Sequence, residues 1–211
     1  NVLGILLPEL GVTPAEDLLD ATEVATRLGI EYKTIDISEI LGSFMAAIPD
    51  RDETSQLSNG NLKARIRMSI LYYYANLLNR MVIGTGNKTE IILGYYTKYG
   101  DGGVDIEPIG DLYKTEVQEL SRIVGVPEEI ITKAPSAALW AGQTDEDELG
   151  ISYVLVDKLI QFLLEGKSTE SIENILGIPE EQINSIINRI NANIHKHQVP
   201  PVAPLDDIRT S

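Results

Sequence analysis

The sequence predicts an α/β protein with a doubly wound parallel sheet, followed by a helical C-terminal part. Three observations carry that prediction. Short strand-like segments at residues 2–7, 31–36 and 81–85, the first an apolar run, alternate with stretches of helical period. Capping residues and glycines mark where those helices start and stop. Beyond residue 150 the only periodicity left is helical, over about 151–165, 169–176 and 180–195.

Taken in order, residues 2–7 read as a strand buried on both faces. Thr13-Pro14-Ala15-Glu16 reads as a capping box with proline at the first helical position. The helix it opens sets Leu18, Leu19, Ala21, Ala25 and Leu28 on one side and stops at Gly29. A second strand follows at 31–36, then a short helix from Ser38 and a polar loop over 49–58. A long helix is expected over 61–79, with Leu62, Ile66, Ile70, Tyr73, Tyr74 and Leu77 as its apolar positions. Asn87-Lys88-Thr89-Glu90 caps the helix after the third strand. Residues 99–103 make a glycine-rich loop, 106–109 a short strand, and 113–124 a helix ending at Gly125. Residues 133–148 read as a second long loop, closed by a solvated acidic run Asp145-Glu146-Asp147-Glu148. No repeat, low-complexity tract or linker interrupts the chain, so 1–211 is read as one domain.

Composition narrows the function. The 211 residues carry a net charge of −15, the wrong sign for general attraction to nucleic acid or an anionic membrane. The absence of cysteine removes disulfides, thiolate nucleophiles and cysteine-ligated metals, and fits a reducing cytoplasm. No apolar run has the length of a membrane span, and the first eight residues lack the pattern of a signal peptide.

The charge is unevenly placed. Between Thr54 and Gly100 stand Lys63, Arg65, Arg67, Arg80, Lys88 and Lys98 against a single acid, Glu90, a window of +5. Such a window either binds an anion or is a set of solvated helix faces. Residues two apart on a helix point about 200° from each other, so at most one or two of Lys63, Arg65 and Arg67 are expected to reach a common ligand, and the third to face solvent or an interface. The junction Gly84-Thr85-Gly86 gathers backbone N–H groups between strand and helix, although it lacks the dinucleotide fingerprint. Glu90 either closes the capping box or holds Mg²⁺ beside phosphate. His195-Lys196-His197 suits the negative end of the last helix, and its spacing argues against a metal site.

Several strings are long and distinctive: Asn59-Gly60-Asn61-Leu62-Lys63-Ala64-Arg65, Ile83-Gly84-Thr85-Gly86-Asn87-Lys88-Thr89-Glu90 and Gly94-Tyr95-Tyr96-Thr97-Lys98-Tyr99-Gly100-Asp101-Gly102-Gly103. With Pro108-Ile109-Gly110-Asp111-Leu112-Tyr113-Lys114, Gly142-Gln143-Thr144-Asp145-Glu146 and His195-Lys196, the chain resembles the ammonia-dependent NAD⁺ synthetases in order and spacing. Pro200-Pro201 in a short C-terminal end looks like the compact archaeal or thermophilic branch.

That resemblance implies an N-type ATP pyrophosphatase with the adenine nucleotide alpha hydrolase-like fold. The reaction it implies is adenylation of the nicotinate carboxylate of deamido-NAD by ATP, followed by displacement of AMP by ammonia. It also implies a homodimer and a Mg²⁺ requirement. Carried over by motif, Thr85, Lys114 and Ser136 are expected to contact ATP and Glu90 to hold Mg²⁺. Arg65, Lys98, Asp105, His195 and Lys196 are expected to contact deamido-NAD.

Two departures from the family pattern stand out. Its phosphate loop, Ser-Gly-Gly-x-Asp-Ser, occurs nowhere in the sequence. The expectation is a natural protein that continues upstream with that loop and a central strand, without which the chain should fold poorly and not turn over. Ala138 stands where relatives commonly carry aspartate. Two other readings are a glutamine-dependent synthetase, separable by the length upstream of Asn1, and a non-catalytic adenine-nucleotide module, separable by its indifference to deamido-NAD.

Overall fold

The computed structural model describes residues 1–140 and 142–205. It is a mixed α/β protein in which helix predominates. Strand β1 (Leu3–Leu6) leads through helix α1 (Ala15–Arg27) to strand β2 (Glu31–Thr34), and the two strands pair in parallel from Leu3↔Glu31 to Leu6↔Thr34. This β-α-β unit matches the expected alternation. The wider sheet is sparser than expected: residues 81–85 and 106–109 meet in one parallel bridge, Ile83↔Ile106, and the sheet proper has two strands among the described residues.

The N-terminal layer is also less buried than its apolar residues suggest. β1 is half-buried along its length and β2 is exposed. On α1 only Ala25 is buried, and Leu19 and Leu28 are exposed. One cause is visible beside β1, where a cavity of about 1500 Å³ separates Val2–Leu7 from Met81–Thr85. Thr13 does not cap α1. Its hydroxyl accepts from Glu9 N at 3.0 Å, and Glu16 turns toward Lys133. The residue before the helix is Pro14, whose ring offers no hydrogen-bonding group.

Helix α2 (Ser38–Ala47) starts where expected, with Asp36 accepting from Ser38 N and Oγ. Helix α3 (Gln56–Leu78) begins five residues earlier than its apolar spacing predicts, because Ser55 accepts from Ser58 N and caps it. Two of its expected core positions, Tyr73 and Leu77, are exposed, whereas Lys63 is buried.

Helices α4 (Lys88–Leu93), α5 (Lys114–Ile123), α6 (Glu128–Ile131), α7 (Asp145–Leu149), α8 (Tyr153–Leu164), α9 (Thr169–Leu176) and α10 (Glu180–Asn193) complete the fold. A 3₁₀ turn, Ile194–Lys196, follows. The core sits in this half: Leu93, Leu149, Val156, Leu159, Ile160, Ile172, Ile183 and Ile186 form one buried cluster. On α8 the spacing of Val156, Leu159 and Ile160 turns one face inward. Each such side chain contributes about 2 kcal/mol by leaving water.

One of these helices corrects the sequence reading. Residues 133–148 are not loop throughout, since Thr144 accepts from Asp147 N and starts α7. The acidic run therefore forms a helical turn rather than a solvated loop. Its first member, Asp145, is 4% exposed.

Candidate active site

Two groups of charged residues lie about α4, one at its start and one reaching Gly94 at its end. The first is a corner built from α4 and α5. Asn87 Oδ1 accepts from Glu90 N at 3.0 Å, and Glu90 Oε2 accepts from Asn87 N at 3.1 Å. Glu90 Oε1 accepts from Lys114 Nζ at 2.8 Å. The carboxylate thus does both things the sequence left open, closing the capping box with one oxygen and facing the cation with the other. Lys114 Nζ also sits 5.1 Å from the centre of the Tyr153 ring. Lys114 N donates to Thr89 Oγ1 at 3.0 Å and Lys88 N to Leu112 O at 2.8 Å, so the two helix starts lie side by side.

Before α4 the chain passes through Gly84-Thr85-Gly86. Glu107 Oε2 accepts from Gly86 N at 3.0 Å. A Cβ at Gly84 would stand 2.5 Å from the Glu107 carboxylate, so a larger residue there would push that carboxylate off Gly86 N. Burial pushes the Glu107 carboxyl up, the hydrogen bond from Gly86 opposes it, and the charges of Asp101 and Glu90 reinforce the rise.

The second group lines the large cavity. Arg65 Nε and Nη2 both donate to Lys98 O at 3.3 Å, and Lys98 Nζ donates to His195 O at 2.6 Å. Lys196 Nζ donates to Gly94 O at 2.5 Å and Tyr96 O at 2.7 Å. Burial lowers the Lys196 ammonium below the ordinary lysine range. No carboxylate among the described residues pairs with Arg65, Lys98 or Lys196. Their charge is held on backbone carbonyls. Thr85 lines the same cavity.

The other helix cations are already committed. Lys63 Nζ pairs with Glu9 Oε2 at 2.6 Å and donates to Leu139 O at 2.8 Å, while Arg67 Nε donates to Leu7 O at 2.9 Å. Lys63 and Arg67 are four apart and share the face toward β1, with Arg65 turned away. The sequence expected one of the three to be a solvent or interface residue. Instead each is tied to a distant backbone carbonyl.

Four expected site residues lie outside the cavity lining: Glu90 and Lys114 in the corner, and Asp105 and Ser136 elsewhere. Asp105 accepts from Val82 N at 2.7 Å and from Tyr72 Oη at 3.0 Å, which ties it to the bridge between residues 83 and 106. Ser136 is exposed and accepts from Ala138 N at 3.0 Å. Ala138 has φ +48°, a left-handed backbone.

Sequence reading missed a network behind the corner. Asp145 accepts from Tyr153 Oη at 2.9 Å and from Tyr95 Oη at 3.1 Å, and Tyr95 Oη also reaches Glu148 at 2.9 Å. Burial raises the Asp145 carboxyl and both phenols. Gln143 joins Glu148 to Leu139 N. The Gly142-Gln143-Thr144-Asp145-Glu146 string was the one available signal.

Residues 1–200 match the family model described as NAD synthase. The chain belongs to the NAD synthase family. It is 57% identical to the NH3-dependent NAD⁺ synthetase of Methanococcoides burtonii, over 99% of this chain and 79% of that one. It is 61% identical to the enzyme of that name from Methanosarcina mazei, over 97% and 80%. Among solved structures, NMN synthetase from Francisella tularensis superposes with a TM-score of 0.83 at 37% identity, covering 95% of this chain and 78% of that one. NH3-dependent NAD synthetase from Campylobacter jejuni, in complex with nitrate, gives 0.76 at 32%, covering 97% and 78%. The family assignment from motifs and the archaeal character both hold.

Proposed function

We propose that this protein amidates deamido-NAD with ammonia at the expense of ATP, releasing NAD⁺, AMP and pyrophosphate. A carboxylate is a poor electrophile, so its oxygen first attacks the α-phosphorus of ATP and pyrophosphate leaves. Ammonia then adds to the acyl carbon, AMP departs with its bonding electrons, and one proton is lost. The protein's share is to hold two polyanions in line and to offset charge as it develops. The observation that carries the reading is the cation set Arg65, Lys98 and Lys196, resting on neutral carbonyls around one cavity that also contains Thr85.

In this reading Arg65, Lys98, His195 and Lys196 receive deamido-NAD, with Asp105 supporting that side from the strand bridge. Thr85, Lys114 and Ser136 receive ATP. Glu90 would hold Mg²⁺. A single carboxylate fits an ion whose other ligands are phosphate oxygens and water. No group of three acids or histidines that could hold a metal on its own exists among the described residues. Bound there, the ion would neutralise charge on the departing pyrophosphate.

The domain proposal is a complete doubly wound sheet in which a strand and phosphate loop before Asn1 occupy the space between β1 and residues 81–85. The open space on that side of β1 supports it. A homodimer is proposed as well, supported by the exposed Leu57, Tyr73 and Leu77 along α3. A cytoplasmic setting is supported by the lack of cysteine, and no described helix is long and apolar enough to cross a membrane.

The test is chromatography of the full-length protein with ATP, Mg²⁺, deamido-NAD and ammonium, with nicotinate mononucleotide and glutamine as parallel replacements. Equal yields of NAD⁺ and AMP are expected with ammonium. Amidation of the mononucleotide alone would reassign the substrate, and turnover with glutamine alone would point to the glutamine-dependent class. No product at all would favour a nucleotide-binding module.

A further inference from the structure

Asp157 lies in the middle of α8, 2% exposed, and no cation among the described residues pairs with it. Burying a carboxylate away from any counter-charge is costly unless donors surround it. Here three do. Oδ1 accepts from Thr89 Oγ1, and Oδ2 accepts from Thr115 N at 2.9 Å and Thr115 Oγ1 at 2.8 Å. The donors come from the first turns of two other helices, α4 and α5. Thr89, fully buried, also accepts from Lys114 N at 3.0 Å. One side chain of α8 therefore ties together the segments that carry Glu90 and Lys114.

The direction of each bond matters. Thr89 Oγ1 accepts from the Lys114 backbone, so its own proton is free to go only to Asp157. An apolar residue at 157 would pack in this core, but it would accept nothing, and the shared anchor of both helix starts on α8 would be lost, leaving only the direct bonds between them. The Glu90–Lys114 contact of 2.8 Å joins side chains that leave the backbone right beside these anchors.

We propose that Asp157 and Thr89 are positioning residues for the adenylation step, a relay from α8 through Thr89 to Lys114 N that sets the placement of Lys114 against Glu90. The inference rests on the reading of Lys114 and Glu90 as the ATP and Mg²⁺ groups. Misplacing such groups by about an ångström is enough to cost roughly 100-fold in rate. It predicts an effect on the ATP half of the reaction with little on deamido-NAD, which is held from α3 and the C-terminal turn.

The test compares Thr89→Val, which keeps the shape and removes the hydroxyl, with Thr89→Ser, which keeps the hydroxyl. Each is followed by thermal unfolding, steady-state kinetics in both substrates and calorimetric binding of ATP with Mg²⁺. Thr89→Val is expected to lose about 10- to 100-fold in kcat over KM for ATP, with KM for deamido-NAD unchanged, and Thr89→Ser to recover most of it. Asp157→Asn, which reverses the donor facing Thr89, is expected to show the same pattern and to add little to Thr89→Val in the double variant. Should Thr89→Val not fold, Thr115→Val carries the test, because Thr115 N still reaches Asp157 and only one hydroxyl bond is lost. Folded variants with wild-type ATP kinetics would overturn the proposal, as would equal losses toward both substrates. A wild-type protein that turns over while failing to need Lys114 would instead overturn the assignment of the corner itself.

Discussion

The α4–α5 corner and the cavity wall both carry lysines expected at the site, and they hold them in opposite ways. In the corner, Lys114 faces the Glu90 carboxylate, and the backbone beneath both is anchored to a buried aspartate. On the wall, Arg65, Lys98 and Lys196 rest on carbonyl oxygens of residues 94–98 and 195. A neutralised pair on a fixed frame suits groups that act as charge shifts during reaction, because little has to move at that moment. Cations held by dipoles keep their net charge, so an arriving anion replaces neutral partners with a charged one. Under the proposed function, the contrast suits the corner to the chemical step and the wall to capture.

Removing the corner's cation is the largest expected effect. Lys114→Ala should lower kcat by about 10²- to 10³-fold, because charge on the leaving pyrophosphate goes unopposed. Raising ATP concentration should not restore the rate. A loss confined to KM for ATP would break the contrast, since Lys114 would then serve binding alone. Rapid-quench measurement of AMP formation at saturating substrates decides between the two.

The wall should behave differently. Lys98→Ala is expected to raise KM for deamido-NAD about tenfold, roughly 1.4 kcal/mol, while kcat stays within about threefold. Freeing the Lys98 tether also leaves His195 O without that donor, a cost in order rather than in charge. Salt sharpens the comparison further. Raising ionic strength from 0.1 to 0.5 M should weaken capture at the exposed wall more than the rate at saturation, because the partly buried corner is less screened. A kcat that falls in step with KM would show that the wall also takes part in chemistry.

What was legible in the sequence follows the same division. Local signals were read correctly: the Asn87 to Glu90 capping box, the glycine after α1, and the separation of Arg65 from Lys63 and Arg67 by helical geometry. Pairings across the chain left no periodic trace. Thr89 meets Asp157 across 68 residues, Tyr95 meets Asp145 across 50, and Lys63 meets Glu9 across 54. Asp145 looked solvated because it sits in an acidic run, yet two tyrosines cover it. Thr13 looked like a cap because it precedes Pro-Ala-Glu, yet Glu9 N claims its hydroxyl. Polar residues buried by distant partners are the ones that composition and spacing misassign. In the N-terminal layer the error ran the other way, with Leu19 and Leu28 expected inside and found exposed.

The smallest effect concerns the segment that closes over the wall, where Ala137, Leu139 and Trp140 line the cavity. Between them Ala138 adopts φ +48°, a conformation that costs a residue with a Cβ about 1 kcal/mol and that asparagine and aspartate tolerate better. Alanine therefore stands where the backbone favours asparagine or aspartate. Ala138→Asn should stabilise the protein by about 0.5 kcal/mol, a rise of roughly 1–2 °C in Tm for a domain this size. Calorimetry of the two proteins measures it. If the segment is strained only to keep it loose over the wall, the same substitution should slow substrate exchange there, and KM for deamido-NAD should fall while the corner's kcat stays unchanged. An unaltered Tm would show that Ala138 carries no strain.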